Sequence, residues 1–397
     1  MTPAPASPPR TDRHAAVPPW RNVRLLRIAG QIVVVLIVAI IALVLWTNLA
    51  TSMARSGLTF GFGFLNTTAG FEIAEGPIPY RATDTYGRAF AVGLLNTLVV
   101  SVAGIFLATI LGVIVGVARL SGNWLVNRVA AGYVELMRNT PLLVQLVLLY
   151  AVFLQLPSVA NSISLGGSVF LNQRGLFLPR PLAEPGFGLW LTLLVAAFVV
   201  ALAARVTASR LEGVGRPTYR LGTIGIVALV AIPAVGWVAL GAPVRLDLPV
   251  QQRFNFVGGV VLSPEFTALL LGLVVYTAAF IGEVVRGGIQ SVRRGQLEAA
   301  YAVGLRPMQT LRLVVFPQAL RVIVPPLTSQ YLNLAKNSSL AIAIGFPDLF
   351  SVTRTMANQT GQSVSVIVLV MGTYLALSLV TSLFMNLYNR RVQVLER

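Results

Sequence analysis

The chain has 397 residues, of which 56% are hydrophobic and only 11% charged, with a mean hydropathy of +0.78. A soluble domain carries about 25% charged residues, so this composition specifies a polytopic membrane protein. The net charge of +17 belongs to arginines in short loops that set topology rather than to a nucleic-acid surface. With no cysteine and a single histidine, His14, disulfides, thiolate chemistry and Cys- or His-based metal sites and triads are excluded.

Residues 1–28 form a Pro/Arg-rich tail with Arg10, Arg13, Arg21, Arg24 and Arg27. The apolar run that follows, 29–50, is too long for the core of a signal peptide and long enough to span, so it reads as an uncleaved first helix. Further spans are expected at 92–117, 134–156, 187–206, 220–241, 264–286, 315–346 and 363–386, eight in all. The arginines test that count. With the N-terminus in the cytoplasm and the sides alternating, about twenty of the 29 arginines fall inside, which agrees with the positive-inside rule and puts both termini there. Residues 51–91 then form an external loop, and 388–397 a cytoplasmic tail. Residues 157–263 read as an insertion of a Pro/Gly-rich loop, two plain apolar helices that face lipid, and a second loop.

Polar groups inside spans are costly and mark the bundle interior or a hydrated cavity. In the third span, "YVELMRNTPLLVQ" (133–145) places Glu135 and Arg138 three apart, where they can pair. Asn139 to Pro141 reads as a break before the apolar part of the helix. Glu283 lies one turn from Arg286 near the end of the sixth span. In the seventh, Gln318, Arg321, Pro325, Ser329, Asn333 and Lys336 recur at steps of three and four, which draws a polar stripe down one helical face. Lys336 is the chain's only lysine. A mid-membrane Lys or Arg costs about 2.5–3.5 kcal/mol on insertion scales, so the stripe lines a hydrated path or pairs with neighbouring helices. Pro317, Pro325 and Pro326 interrupt the same segment.

No P-loop, no catalytic carboxylate pair and no metal-ligand spacing occurs, and no acid sits at mid-span. The chain therefore encodes neither an energy source nor chemistry on a substrate, and no cofactor is implied. The stretch "GQLEAAYAVGL" (295–305), between the sixth and seventh spans, bears on this. Gly295 opens it, Gln296 to Val303 favours helix with Glu298 in the first turn, and Gly304 stops it before Pro307. A helix of about two turns is unstable alone and needs something to dock against. Leu297, Ala300 and Val303 are expected to make its small apolar face.

Glu298, Ala299, Ala300 and Gly304 in this context resemble the EAA motif of ABC-importer permeases. "EVVRGGIQSV", "PQALRVIVPPL", "LAKNSSLA" and "YVELMRNTPLLVQL" resemble the polar amino acid branch over about residues 92–387. The extra first helix and the insertion make the chain similar to the long-form general L-amino acid and glutamate/glutamine/aspartate/asparagine permeases. The resemblance implies an all-α, type I permease fold, with 92–387 as its transmembrane domain. Gly295, Gln296, Glu298, Ala299, Ala300 and Gly304 would form the coupling helix, seated in a cleft of a cytoplasmic ATP-binding subunit. A second permease subunit, two ATPase copies and a periplasmic amino-acid-binding protein would complete an importer in a bacterial inner membrane. Gln318, Arg321, Ser329, Asn333, Lys336 and Asn337 would line the translocation path. Asn337 stands where many relatives carry Asp, which argues against a preference for cationic amino acids. The alternative is an ion-coupled secondary amino acid transporter, against which the missing deep carboxylates count.

Overall fold

Length and hydropathy are borne out first. The computed structural model describes residues 23–55, 60–212, 219–253 and 255–393. The tail 1–22 and residues 394–397 lie outside the described residues. Among the described residues, seven helices are long and apolar enough to cross a membrane, or eight if one bent pair counts as a single span. The first is α1 (Val23–Arg55), whose large apolar side chains from Leu26 to Trp46 are exposed all round. An apolar residue costs nothing when it faces lipid, so a helix without a packed face is stable there.

The segment 60–85 folds onto the start of α2 (Tyr86–Ala118), where Phe64, Phe71 and Tyr86 form a small aromatic core. Thr85 caps α2 by accepting from the Arg88 amide. The third span is the bent pair, α3 (Trp124–Asn139) and α4 (Leu142–Leu154), at 106°. Pro141 disfavours helical backbone at Thr140, which is extended. The Gln145 amide donates to the carbonyls of Met137 and Thr140, so groups freed at the break stay satisfied.

The insertion contains more than loops and two helices. Its strands are β1 (Ile163–Leu165), β2 (Val169–Asn172), β3 (Gly175–Leu178) and β4 (Arg180–Ala183). Then come α5 (Phe187–Glu212), α6 (Tyr219–Ala239), β5 (Val244–Asp247), β6 (Val250–Gln251), β7 (Phe256–Val257) and β8 (Val260–Leu262). One antiparallel sheet runs β1-β2-β3-β8, with Phe177 opposite Val261, and β4 pairs β5 while β6 pairs β7. Phe170, Phe177 and Phe256 stack at 4.5–4.7 Å to make its core. The fold is thus dominantly helical, as expected, with a small sheet added. Strands of two to four residues are too short to carry a clear alternating pattern. As expected, α5 and α6 expose apolar outer faces. They pack on each other through Gly225 against Ala201 and Ala204.

The hub is α7 (Pro264–Gln290), capped by Ser263 with Pro264 in its first turn. It packs on α2, α3, α4 and α10 (Phe316–Asn337). Between α7 and α10 lie α8 (Arg294–Ala302), α9 (Pro307–Thr310) and one π-turn, Leu311–Val315. With the 3₁₀ segment Ser338–Ile344 that follows α10, this makes a continuous span, Pro307–Ile344. Pro325 and Pro326 lie within α10 without ending it. Then α11 (Leu349–Thr360), absent from the sequence reading, precedes the last span α12 (Ser363–Gln393).

Candidate functional site: the α8 helix and the α10 face

The α8 helix follows α7 after three residues, Ser291 to Arg293, of which Val292 is buried. It starts one residue before Gly295, so Glu298 falls in its second turn, past the first-turn position expected for it. The C-terminus is as read from sequence. Gly304 has φ +82°, its amide donates to Tyr301 O at 2.9 Å, and the Leu305 amide donates to Ala300 O at 3.1 Å. That pair of bonds is a Schellman closure, which requires a left-handed residue at this position.

The expected apolar face is corrected. Leu297 packs against the main core and Ala300 is 4% exposed, whereas Val303 points outward at 76%. Leu297 and Ala300 are therefore the seat of the helix. The outward surface carries Gln296, Glu298, Ala299, Tyr301 and Val303. Nine residues cannot hold a helix in water. Here the seat and the Gly304 closure hold it, leaving one side free.

The α10 stripe divides along its length. Gln318 and Arg321 are half-buried, Ser329, Asn333 and Lys336 are exposed, and Asn337 is half-buried. The opposite face is packed: Ala319, Ile323, Val324 and Leu334 are buried, and the Tyr331 and Thr109 hydroxyls meet at 2.9 Å. The polar groups thus lie on the side of α10 that the chain itself leaves open. At membrane depth such a face requires water or another subunit against it. Gln318 joins the two predicted sites, because its amide donates to Gln296 Oε1 on α8 at 3.3 Å.

The polar pairs split. Glu283 and Arg286 pair at 2.9 Å, and Arg119 from the end of α2 binds the other carboxylate oxygen. Glu135 and Arg138 do not pair. Arg138 lies over the Phe280 ring at 5.3 Å, and Glu135 is exposed without an ion pair among the described residues. The i, i+3 spacing permits an ion pair, but an exposed pair is worth little, and the guanidinium instead lies over the aromatic face that α7 offers.

Sequence reasoning missed a junction at the other end of α2. Asn96 donates to the carbonyls of Glu75 and Pro347, the Leu349 amide donates to the Thr97 hydroxyl, and Asp348 caps α11 through the Ser351 amide. Asp348 is fully buried, and desolvation raises its carboxyl to about 6. Only its place beside Pro347, ahead of an amphipathic stretch, hinted at a cap.

Comparison with known proteins places this geometry. The family described as binding-protein-dependent transport system inner membrane component matches residues 206–394, from α5 to the end of α12. The general L-amino acid transport system permease protein AapQ of Rhizobium johnstonii is 46% identical over 91% of this chain and 91% of its own. The chain belongs to the ABC-importer permeases. The glutamate/glutamine/aspartate/asparagine transport system permease protein BztB of Rhodobacter capsulatus is 42% identical over 95% of this chain and 96% of its own. Matches of this length cover most of both chains and extend well beyond residues 206–394. The type I permease fold and the multi-pass membrane location follow for this permease.

Proposed function

We propose that this permease imports L-amino acids, that both its termini face the cytoplasm, and that α8 is the surface on which a separate ATP-binding subunit docks. The carrying observation is the build of α8 itself. It is a nine-residue helix seated by Leu297 and Ala300, closed by Gly304, and open on its outer side. A linker between spans needs none of these features. A helix received by a cleft needs all three, because the seat must transmit force and the outer side must be complementary to a partner. Gly295, Gln296, Glu298, Ala299, Ala300 and Gly304 are the coupling residues in this reading. The arginines around α8 support a cytoplasmic side for it, by the positive-inside rule.

The amino acid substrate is supported by the full-length relatives named for it. The path runs along the open polar face of α10, where Ser329, Asn333 and Lys336 are uncovered. A second permease subunit faces this stripe across the path, and a periplasmic binding protein delivers the substrate. Residues 92–387, with the insertion 157–263, are the transporting domain.

Reconstitution tests the reading. The chain, its partner permease, the ATPase and the binding protein are placed in vesicles, and uptake of labelled amino acids is measured with and without ATP. Uptake is expected only with ATP and the ATPase present. Uptake driven by an ion gradient with no ATPase would overturn it.

A further inference from the structure

The proposed coupling helix α8 follows α7 in the chain, α7 is packed along α2, and the contacts of α2 have three parts. The first is a seam of glycines between α2 and α7. A Cβ on Gly112 would lie 2.6 Å from Ile281 Cβ, and one on Gly116 would lie 2.8 Å from both Gly282 O and Val285 Cβ. No larger residue fits, so the backbones touch along two turns and the helices cannot slide independently. The second part is the ionic joint where that seam ends. Arg119, the residue that ends α2, binds Glu283 Oε1 through Nη1. Arg286 binds Oε2 through Nη2 at 2.9 Å and Nε at 3.2 Å, and Arg286 Nη1 donates to Gln290 Oε1 at 2.8 Å. Asn127 of α3 donates to the Arg119 carbonyl at 2.6 Å. The Glu283 carboxylate therefore ties the end of α2 to α7, two turns before α7 ends and leads into α8, and Asn127 brings α3 to the same place.

The third part is the far end of α2. Gly93 packs against Asp348, Leu349 and Val352, with its Cβ position 3.1–3.2 Å from their atoms. Asn96 and Thr97 hydrogen-bond to Pro347 and Leu349. These contacts fasten the N-terminus of α11, a helix flanked by two left-handed glycines, Gly345 at φ +83° and Gly361 at φ +66°. The distance along α2 from Gly93 to Arg119 is roughly 39 Å at 1.5 Å per residue. So α2 reaches from the α8 side of the membrane to the opposite side, held at both ends.

We propose that Glu283 is a positioning residue for transport: by tying Arg119 to α7 it makes α2 follow displacement of α8, and α2 carries that displacement to α11 on the far side. The proposal rests on α8 being the ATPase-coupled helix. The seam holds α2 to α7 as far as Gly116 and resists sliding there. The ion pair extends that hold to Arg119, past the end of the helix. Its partners are 164 residues apart in sequence, so no local tendency of either helix replaces it. The charge is partly shielded, with about a fifth of each of the Arg119 and Glu283 side chains exposed. Removing the carboxylate leaves two arginines facing each other in a site with little water, and they part.

The experiment uses the reconstituted importer. Glu283→Gln keeps the side-chain volume and removes the charge. It is expected to insert and bind the ATPase as the unaltered chain does, to keep ATP hydrolysis, and to lose uptake about tenfold, a typical size for coupling between distant sites. Glu283→Asp is expected to recover part of the uptake. Because the chain has no cysteine, the double variant Arg119→Cys/Glu283→Cys can be bridged by a short bifunctional thiol reagent, with cysteine-free partner subunits. Uptake per ATP hydrolysed should be low before bridging, rise on bridging and fall again on reduction. A merely structural role does not move with a reversible tether. Full coupling in the unbridged double variant, or a bridge that leaves coupling low, would overturn the proposal. If Glu283→Gln fails to fold, the bridged and reduced forms of the double variant still decide it. Loss of ATP-driven uptake in the unaltered chain would instead count against the proposed function and leave the joint aside.

Discussion

Gly304 has open space around its Cβ position, yet its φ of +82° admits only glycine readily. A β-branched residue there meets backbone strain of about 1–2 kcal/mol, enough to open the last turn of a nine-residue helix without disturbing the spans. Gly304→Val should reach the membrane at normal levels but bind the ATPase several-fold more weakly, as read by co-purification. Asp348 is the other informative residue. Burial raises its carboxyl from the ordinary 3.8 to about 6, so the folded state holds a proton more tightly than the unfolded chain does. Its contribution is therefore most favourable below about pH 4 and is lost as pH rises through 6. Asp348→Asn keeps the cap, because Asn and Asp serve equally at that position, and removes the buried charge. It should stabilise the fold at pH 8 by about 3 kcal/mol, read as a higher melting temperature, and leave stability nearly unchanged at pH 4. A lower melting temperature at pH 8 would show that the carboxylate is stabilised by a partner.

At the scale of elements, α10 is one helix with two faces of opposite chemistry. The packed face carries Ala319, Ile323 and Leu334, and the open face carries Ser329, Asn333 and Lys336. Because Ser329, Asn333 and Lys336 are exposed among the described residues, substitution there should spare assembly. Lys336→Met should leave membrane levels near normal and reduce uptake at least several-fold. A protein that no longer accumulates would show that the stripe holds subunits together instead. The α8 helix has the reverse arrangement at Ala300, which is buried in its seat, so a bulky residue there tilts the helix on its base without touching the outward surface. The structure decided this assignment. A two-turn helix of small residues has several plausible apolar faces, and the one that turns inward depends on where α7 and α10 leave room.

For the whole molecule, the span count carries a topological prediction. With the bent α3–α4 pair counted as one crossing, the seven spanning helices make eight, and an even count predicts that both termini share a side. A reporter fused in the external loop near residue 75 and one fused after Arg397 should report opposite sides of the membrane; agreement between them would remove one crossing. Much of this was legible from the chain alone, and for one physical reason. Transfer of a side chain into lipid depends on that side chain and little else, so the spans, their number and the plain exterior of α5 and α6 are written locally. The same holds for the break at Pro141 and the closure at Gly304, where one residue's backbone limits act on their own. The other features depend on what folding brings together. Arg119 finds Glu283 across 164 residues, and Arg138 leaves Glu135 for Phe280 on another helix. Asp348 becomes buried only when α2 and α11 meet, and the sheet of the insertion forms from strands too short to announce themselves. Sequence by itself determined which segments enter the membrane, because burial in lipid is a property of each segment. Tertiary structure decided which polar groups meet inside it, because a charge in a dry interior is stable only beside a partner that packing supplies.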